Sequence, residues 1–170
     1  AMRSRHLVPL SIAVIVNVVL IFVGRGSFLH MVGVMGLVVW VALPAGAVAG
    51  LLYFMKRRGR FARVTFAIAC VALSTIVSAV GGTFLLQHDI AQAKAFCESL
   101  VPKLEQHRAK TLSYPDRIEA IDRRTPPRLL RDGDYYSGSP NAYSFSFSDP
   151  GGMMNGFAWD SHAGRWKEWD

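Results

Sequence analysis

Apolar residues fill the first half of the chain in three long runs, whereas apolar and polar positions alternate over short distances in the second half. The runs cover residues 7–23, 29–55 and 64–86; the first has one strongly polar residue, Asn17, and the other two have no charged residue. Crossing a bilayer takes about 20 apolar residues. A helix on a soluble core would show polar residues every third or fourth position, and these runs do not. The pattern predicts three transmembrane helices.

A cleaved signal peptide is the alternative for the first run. No small-x-small cleavage site follows it in "VGRGSFLH", and another apolar run begins at once. These features favour a retained span.

An amphipathic helix is predicted for residues 88–110, continuing the third run out of the lipid. Apolar side chains recur there at steps of three and four residues, the helical period. They are Ile90, Ala93, Phe96, Cys97, Leu100, Val101 and Leu104. Pro102 is expected to bend this helix, and Tyr114-Pro115 to end it. A short helical turn follows at 116–124, with Ile118 and Ile121 facing inward.

The period changes to two at "YSFSFS", residues 143–148, which predicts a strand with one covered face. "GFAWD" and "RWKEW" predict two more strands, and Tyr135 and Tyr136 could begin an earlier one. The aromatics expected to cover the helix are Phe145, Phe147, Phe157, Trp159 and Trp166. The predicted fold is a three-helix transmembrane region, 1–87, and a small α+β domain, 88–170, whose long helix packs on a three- to four-stranded antiparallel meander.

Charge is distributed very unevenly. Residues 1–87 contain eight Arg and Lys and no Asp or Glu, although the net charge of the whole chain is only +7. Cations in short loops stay on the cytoplasmic side. The second loop has five of them, Lys56, Arg57, Arg58, Arg60 and Arg63, and the first loop has only Arg25.

This asymmetry predicts a cytoplasmic N-terminus and second loop, and therefore a domain on the opposite face, the periplasm of a bacterium. The cationic loop is expected to lie against anionic lipid head groups. Nucleic-acid binding is the alternative, but a short loop between two spans lacks the footprint of a nucleic-acid domain.

Small residues mark two of the predicted spans. Gly46 and Gly50 form a small-xxx-small pair in the second, and Ser74, Ser78 and Gly82 share one face of the third. Small faces let helices approach closely in lipid. The simplest interpretation is packing of these faces within the chain, and the alternative is the seam of a homo-oligomer. No Asp, Glu, Lys or Arg lies within a span, which argues against transport.

The second half resembles the pilins and pseudopilins over roughly residues 64–170. The resemblance is carried by a membrane-anchored long helix, "YP" at 114–115, "PPRLL" at 126–130, and the aromatic segments at 143–147 and 157–166. It implies a long helix packed on an antiparallel sheet. The prepilin motif is absent, because the equivalent span follows Arg63 and has no glutamate, so the resemblance implies a fold and not filament assembly.

Residues that could carry chemistry are sparse. His30 with Met31 and Met35 could suggest a copper(I) site, and Asp132 with Asp134 a calcium loop, but apolar packing and a surface turn explain them more simply. Cys70 and Cys97 are too far apart on one helix to bridge. Gly-x-Ser-x-Gly is missing. We therefore expect that the chain binds no cofactor and is not an enzyme.

Protein–protein interaction remains the most economical function. The domain would serve an envelope machine as an accessory subunit, or would be an immunity protein against a toxin that acts at the membrane. The alternative is a structural subunit assembled through its spans. Tyr, Trp and Arg are typical of binding hot spots. The predicted binding residues are Arg123, Arg124, Arg128, Arg131, Tyr135, Tyr136 and Trp169.

Overall fold

The computed structural model describes residues 7–55, 59–131 and 134–169. Contacts divide the chain into two units, Ala1–Leu85 and Leu86–Asp170. The helix of residues 60–111 belongs to both units, since the division falls within it.

Helices form the described part of the first unit. They are α1 (Leu7–Gly24), α2 (Phe28–Leu37), α3 (Leu43–Phe54) and the first part of α4 (Arg60–Thr111). A π-helical turn at Val38–Ala42 joins α2 to α3 and ends two residues before Pro44. Proline supplies no N–H to the preceding turn, and a widened turn is one way in which a helix accommodates it.

Two helical segments are long and apolar enough to cross a membrane, Phe28–Phe54 and Arg63–Thr111. The apolar stretch in α1 is shorter, Ala13–Gly24. Large apolar side chains cover the surface of this unit; Leu29 and Trp40 are each 80% exposed and Phe54 is 84% exposed. Water is a poor solvent for such a surface.

A long helix and a four-stranded antiparallel sheet form the second unit. The strands are β1 (Tyr136–Gly138), β2 (Tyr143–Ser148), β3 (Gly156–Asp160) and β4 (Arg165–Trp169), in the order β1-β2-β3-β4. The predicted meander is therefore confirmed in its four-stranded form, and Tyr136 begins the extra strand. Along β2, buried Tyr143, Phe145 and Phe147 alternate with exposed serines.

The core of this unit joins one face of α4 to the inner face of the sheet. The predicted helix positions Ile90, Ala93, Cys97, Leu100 and Leu104 are buried, and Phe96 and Val101 are partly buried beside them. Phe145, Phe147 and Phe157 are buried opposite them, and Trp159 and Trp166 pack at the margin. Cross-strand pairing accounts for this arrangement, since Phe145 pairs with Trp159 and Phe147 with Phe157.

The helix continues through Pro102 to Thr111, in agreement with the helix predicted for residues 88–110. Two local features differ from the sequence prediction. The turn expected over 116–124 is a 3-10 turn of three residues, Ile118–Ala120, in which Ile118 is buried. A second 3-10 turn, Arg128–Leu130, was not predicted; it places Leu130, only 1% exposed, in the core.

Candidate interaction surfaces

The seven predicted binding residues do not form one patch. Arg124 lies beside the middle of the unit's helix, where its Nη2 is 2.7 Å from Asp122 Oδ2 and 2.8 Å from Ser99 Oγ. Lys103 Nζ lies 2.8 Å from the same Asp122 carboxylate. Hydrogen bonds from Arg124 and then Lys103 hold the pKa of Asp122 well below its usual range. Arg124 therefore has a structural partner although, like Arg123 beside it, it is exposed.

Arg128 is paired in a similar way, with a carboxylate at the start of the unit. Its Nη2 lies 2.9 Å from Asp89 Oδ2, and its Nε 3.1 Å from the same atom. Arg131, one turn further on, is exposed and donates from Nε to the carbonyl of Pro126 at 3.2 Å. The two ion pairs fix the loop of residues 112–131 against the helix.

The side chains of Tyr135 and Tyr136 are half-buried and not fully exposed to a partner. The hydroxyl of Tyr136 donates to the carbonyl of Pro115 at 2.7 Å. The ring of Tyr135 meets that of Phe96 edge to face, with centroids 6.3 Å apart. Burial raises the pKa of each phenol to about 12, so both stay neutral.

One groove brings three of the predicted residues together. It has a volume of about 510 Å³, and we call it the Trp169 groove. Its lining is Arg128, Leu129, Asp134, Tyr135, Ser146, Phe147, Ser148, Pro150 and Trp169. The indole of Trp169 packs over Gly156, where a Cβ would overlap the ring. The absence of a side chain at Gly156 thus leaves room for the Trp169 ring.

A second groove, of about 680 Å³, runs along β1 and also has Tyr135 in its lining. We call it the β1-edge groove. Its lining is Asp116, Arg117, Ile118, Glu119, Asp134, Tyr135, Tyr136, Ser137 and Gly138. Because β1 stands first in the strand order, one of its edges has no partner strand among the described residues. Such an edge offers backbone N–H and C=O groups to another extended chain.

Within the first unit, the polar face of α4 packs against α1 and α2. The Nδ2 of Asn17 donates to Ser74 Oγ at 2.9 Å, and His30 Nε2 lies 3.2 Å from Ser78 Oγ. Gly82 approaches the backbone of Gly26 so closely that a Cβ would lie 2.6 Å from its nitrogen.

The simplest interpretation of the sequence was that this face packs against Gly46 and Gly50. Its partners in the structure are other residues. A Cβ on Gly46 would only reach Ala69, at 4.0 Å, and one on Gly50 would meet no atom within 4 Å. Sequence spacing shows which residues share a face, but it cannot show which polar group on another helix, here Asn17 or His30, meets them.

The sequence did not show that His30 is a buried polar residue between the helices of the first unit. It is 91% buried, since its exposed fraction is 9%, and its Nδ1 is buried without a hydrogen-bond partner among the described residues. Glycines surround the ring: a Cβ on Gly24 would overlap it, and one on Gly82 would lie 3.3 Å from Cε1. A polar residue at the second or third position of an apolar run is a signal that could have identified it.

Part of the cationic loop lies outside the described residues, namely Lys56, Arg57 and Arg58. Arg60 and Arg63 are exposed in the first turn of α4. They lie where the apolar stretch of that helix begins.

Metal-binding clusters of three or more His, Cys, Asp or Glu are not found in the described ranges. Asp132, one half of the calcium hypothesis, lies outside those ranges, and Asp134 lines both grooves. His30, proposed for copper(I), points at Ser78. Cys70 is exposed and Cys97 is buried, and both thiols are free.

Comparison with known proteins adds no relative. No protein-family model, no curated protein and no solved structure matches the chain. The surfaces described above must therefore be interpreted from their own geometry.

Proposed function

We propose that the chain is a bacterial inner-membrane protein whose three transmembrane helices hold a periplasmic protein-interaction domain. The first unit supports the membrane assignment through its exposed apolar surface, which only lipid or another apolar chain would cover. Besides the two segments that are long enough to cross a membrane, α1 is the third span in this proposal. It has 18 residues, from Leu7 to Gly24.

Cations support the orientation. The first loop has Arg25 alone, whereas Arg60 and Arg63 begin α4 after three further cations in the sequence. The rule that short cationic loops stay in the cytoplasm then places the second unit in the periplasm. A reporter enzyme that is active only in the periplasm, fused after the last residue, should be active; activity of a cytoplasmic reporter there instead would reject the orientation.

The observation that carries the interaction role is the open edge of β1 along a groove. Addition of a strand to an exposed sheet edge is a common way to bind an extended peptide. Arg117, Asp116 and Glu119 supply both signs of charge beside the edge, and Tyr135 and Tyr136 supply aromatic surface. An extended segment of a partner protein would pair with β1 and place alternate side chains in the groove.

Two biological roles suit this surface, an accessory subunit of an envelope machine and an immunity protein for a membrane-acting toxin. In both, the partner reaches the domain from the periplasm. The arrangement of a long helix on an antiparallel meander supports the pilin-like interpretation of the domain, without the residues for filament assembly.

Photocrosslinking in cells tests the interaction surface. A photoreactive amino acid at Ser137, on the β1 edge, should trap a partner, and the same group at His162, in the exposed β3–β4 turn, should not. Arg117→Glu should then weaken the Ser137 crosslink severalfold while the protein level stays constant. Equal crosslinking at Ser137 and His162, or no effect of Arg117→Glu, would reject the β1 edge.

The alternative is a structural subunit assembled through its helices. It is favoured by Gly33, Gly36 and Gly50, each of which has open space where a Cβ would be. Small residues on an outer helix surface permit close approach of another helix. In that case Gly50→Leu should dissociate the complex, and Arg117→Glu should leave it intact.

A further inference from the structure

The turn between β2 and β3 displays two methionines to its surroundings. Met153 is 69% exposed and Met154 is 82% exposed, and Met154 has a φ of +71°. A left-handed backbone is uncommon for such a side chain. The turn is nevertheless closed firmly, because Asp149 N donates to the carbonyl of Asn155 at 2.8 Å. An ordered turn thus presents apolar side chains outward.

This turn lies beside the first residues of the second unit. Asp149 and Asn155, which close the turn, line one small cavity together with Gln87 and Ile90. The unit begins at Leu86, and the apolar stretch of α4 precedes it in the chain. We call this end of the unit, formed by residues 86–90 and 149–155, the Leu86 end.

A tryptophan near the Leu86 end is a residue of the kind found where proteins meet lipid head groups. Trp169 is 42% exposed, and its indole packs over Gly156, the first residue after the turn. Arg128 also lies at this end, where its guanidinium is bound by the carboxylate of Asp89. Trp is enriched at the membrane–water interface. Asp149, the acid of the turn, accepts from Gly151 N at 2.8 Å.

We propose that Met153 and Met154 insert into the head-group region of the bilayer that surrounds the protein's own spans. Chain connectivity is the argument for lipid as the occupant, since the residue at which α4 would leave the membrane lies beside the turn. The proposal rests on the membrane assignment made above. In this proposal the β1-edge groove remains accessible to a protein partner. The apolar side chains of the two methionines contact lipid instead of water.

The chain offers a matched control, Leu112. Like Met154 it is apolar, exposed (85%) and left-handed (φ of +62°). It follows the last residue of α4, Thr111, which is 25 residues after Leu86, or about 38 Å along a helix at about 1.5 Å per residue. Leu112 should therefore stay in water while Met154 contacts lipid.

The experiment uses the full chain with Cys70→Ala, reconstituted in vesicles of phosphatidylethanolamine and phosphatidylglycerol. Met154→Cys, Leu112→Cys and Val77→Cys each carry an environment-sensitive fluorophore, and Val77 is an exposed residue within the apolar stretch of α4. Quenching by lipids with a spin label near the head group is compared with quenching by lipids labelled deep in the acyl chain.

The expected result is severalfold stronger quenching at position 154 than at position 112 by the shallow lipid label, with a blue-shifted emission at 154. Position 77 should respond to the deep label. If 77 responds and 154 behaves like 112, the insertion of the turn is rejected and the membrane assignment stands. A blue shift at 154 without lipid quenching would mean a protein occupant and would also reject it. If 77 does not respond, both proposals fail.

Discussion

The guanidinium of Arg128 lies 2.9 Å from the carboxylate of Asp89, the first acidic residue in the chain. This ion pair ties the 3-10 turn Arg128–Leu130 to the helix 39 residues earlier. The Asp89 side chain is 9% exposed and that of Arg128 is 45% exposed. The pair therefore positions the Trp169 groove, of which Arg128 is one wall, rather than leaving the arginine free for a partner.

Arg128→Met should lower the free energy of unfolding by about 1–2 kcal/mol, because it removes a cation from a mostly buried carboxylate. The loss is smaller than the roughly 3–5 kcal/mol of a fully buried pair because Arg128 is half exposed. Denaturation of the detergent-solubilised chain, followed by tryptophan fluorescence, measures it. Arg123→Met, at an exposed position, is the control and should stay within about 0.5 kcal/mol of the unaltered protein. Equal losses would show that the pair contributes nothing.

Asp122 should make the second unit sensitive to acid. Its pKa is lowered in the folded state by Arg124 and Lys103, so the folded protein holds fewer protons at this site than the unfolded chain does. The stability from these bonds is complete above the unfolded pKa of about 4 and is lost as the pH falls below it. Asp122→Asn should have a lower Tm at neutral pH and a smaller fall in Tm on acidification.

Asp116→Asn is the control for this measurement, since Asp116 is exposed. Its Tm should follow that of the unaltered protein at every pH. If Asp122→Asn showed the same pH profile as the unaltered protein, another carboxylate would be responsible for the acid sensitivity.

Periodicity predicted the long helix and strand β2 of the second unit, because each has one covered face and therefore a regular repeat of buried positions. The helical spacing of Ile90, Ala93, Cys97, Leu100 and Leu104 and the alternation along β2 both correspond to buried positions. The end of the helix was predictable from Tyr114-Pro115. The helix passes through Pro102 as predicted, since the helical spacing of apolar residues continues to Leu104 beyond it.

The sequence did not reveal that the predicted binding residues lie apart, because this depends on where the fold places the carboxylates of Asp89 and Asp122. Arg124 and Arg128 are equally cationic in the sequence, yet each lies against an acid, Asp122 or Asp89, that neutralises it. The open edge of β1 likewise depends on the order of the strands. Composition did indicate that Tyr135 and Trp169 line one surface. The Trp169 groove, which both residues line, agrees with this.

Gly82→Ala should loosen the helices of the first unit. Its Cβ would lie 2.6 Å from the nitrogen of Gly26 and 3.3 Å from Cε1 of His30, so backbone must move. Overpacking of this kind costs about 1–3 kcal/mol. Gly36→Ala is the matched control in an apolar helix, because no atom lies within 4 Å of its Cβ position. Thermal unfolding in detergent should show a lower Tm for Gly82→Ala only; a similar fall for both would mean that the contact between Gly26 and Gly82 is not made.

Cys97 reports directly on the opening of the second unit. Its side chain is fully buried between the helix and the sheet, and burial raises its pKa to about 12. The thiol is therefore both inaccessible and protonated near neutral pH, where a maleimide reacts only with an exposed thiolate. In a Cys70→Ala chain, labelling should be slow in native conditions and fast in denaturant.

Leu104→Ala should accelerate that labelling. Leu104 is fully buried in the same core, and the cavity should cost about 2–5 kcal/mol. The fraction of molecules that are open then rises by roughly 30-fold or more, since each 1.4 kcal/mol is about a factor of ten. Leu112→Ala, at a position that is 85% exposed, should leave the labelling rate unchanged. Rapid labelling of the unaltered chain, at the rate seen in denaturant, would show that α4 and the sheet do not enclose Cys97 in solution.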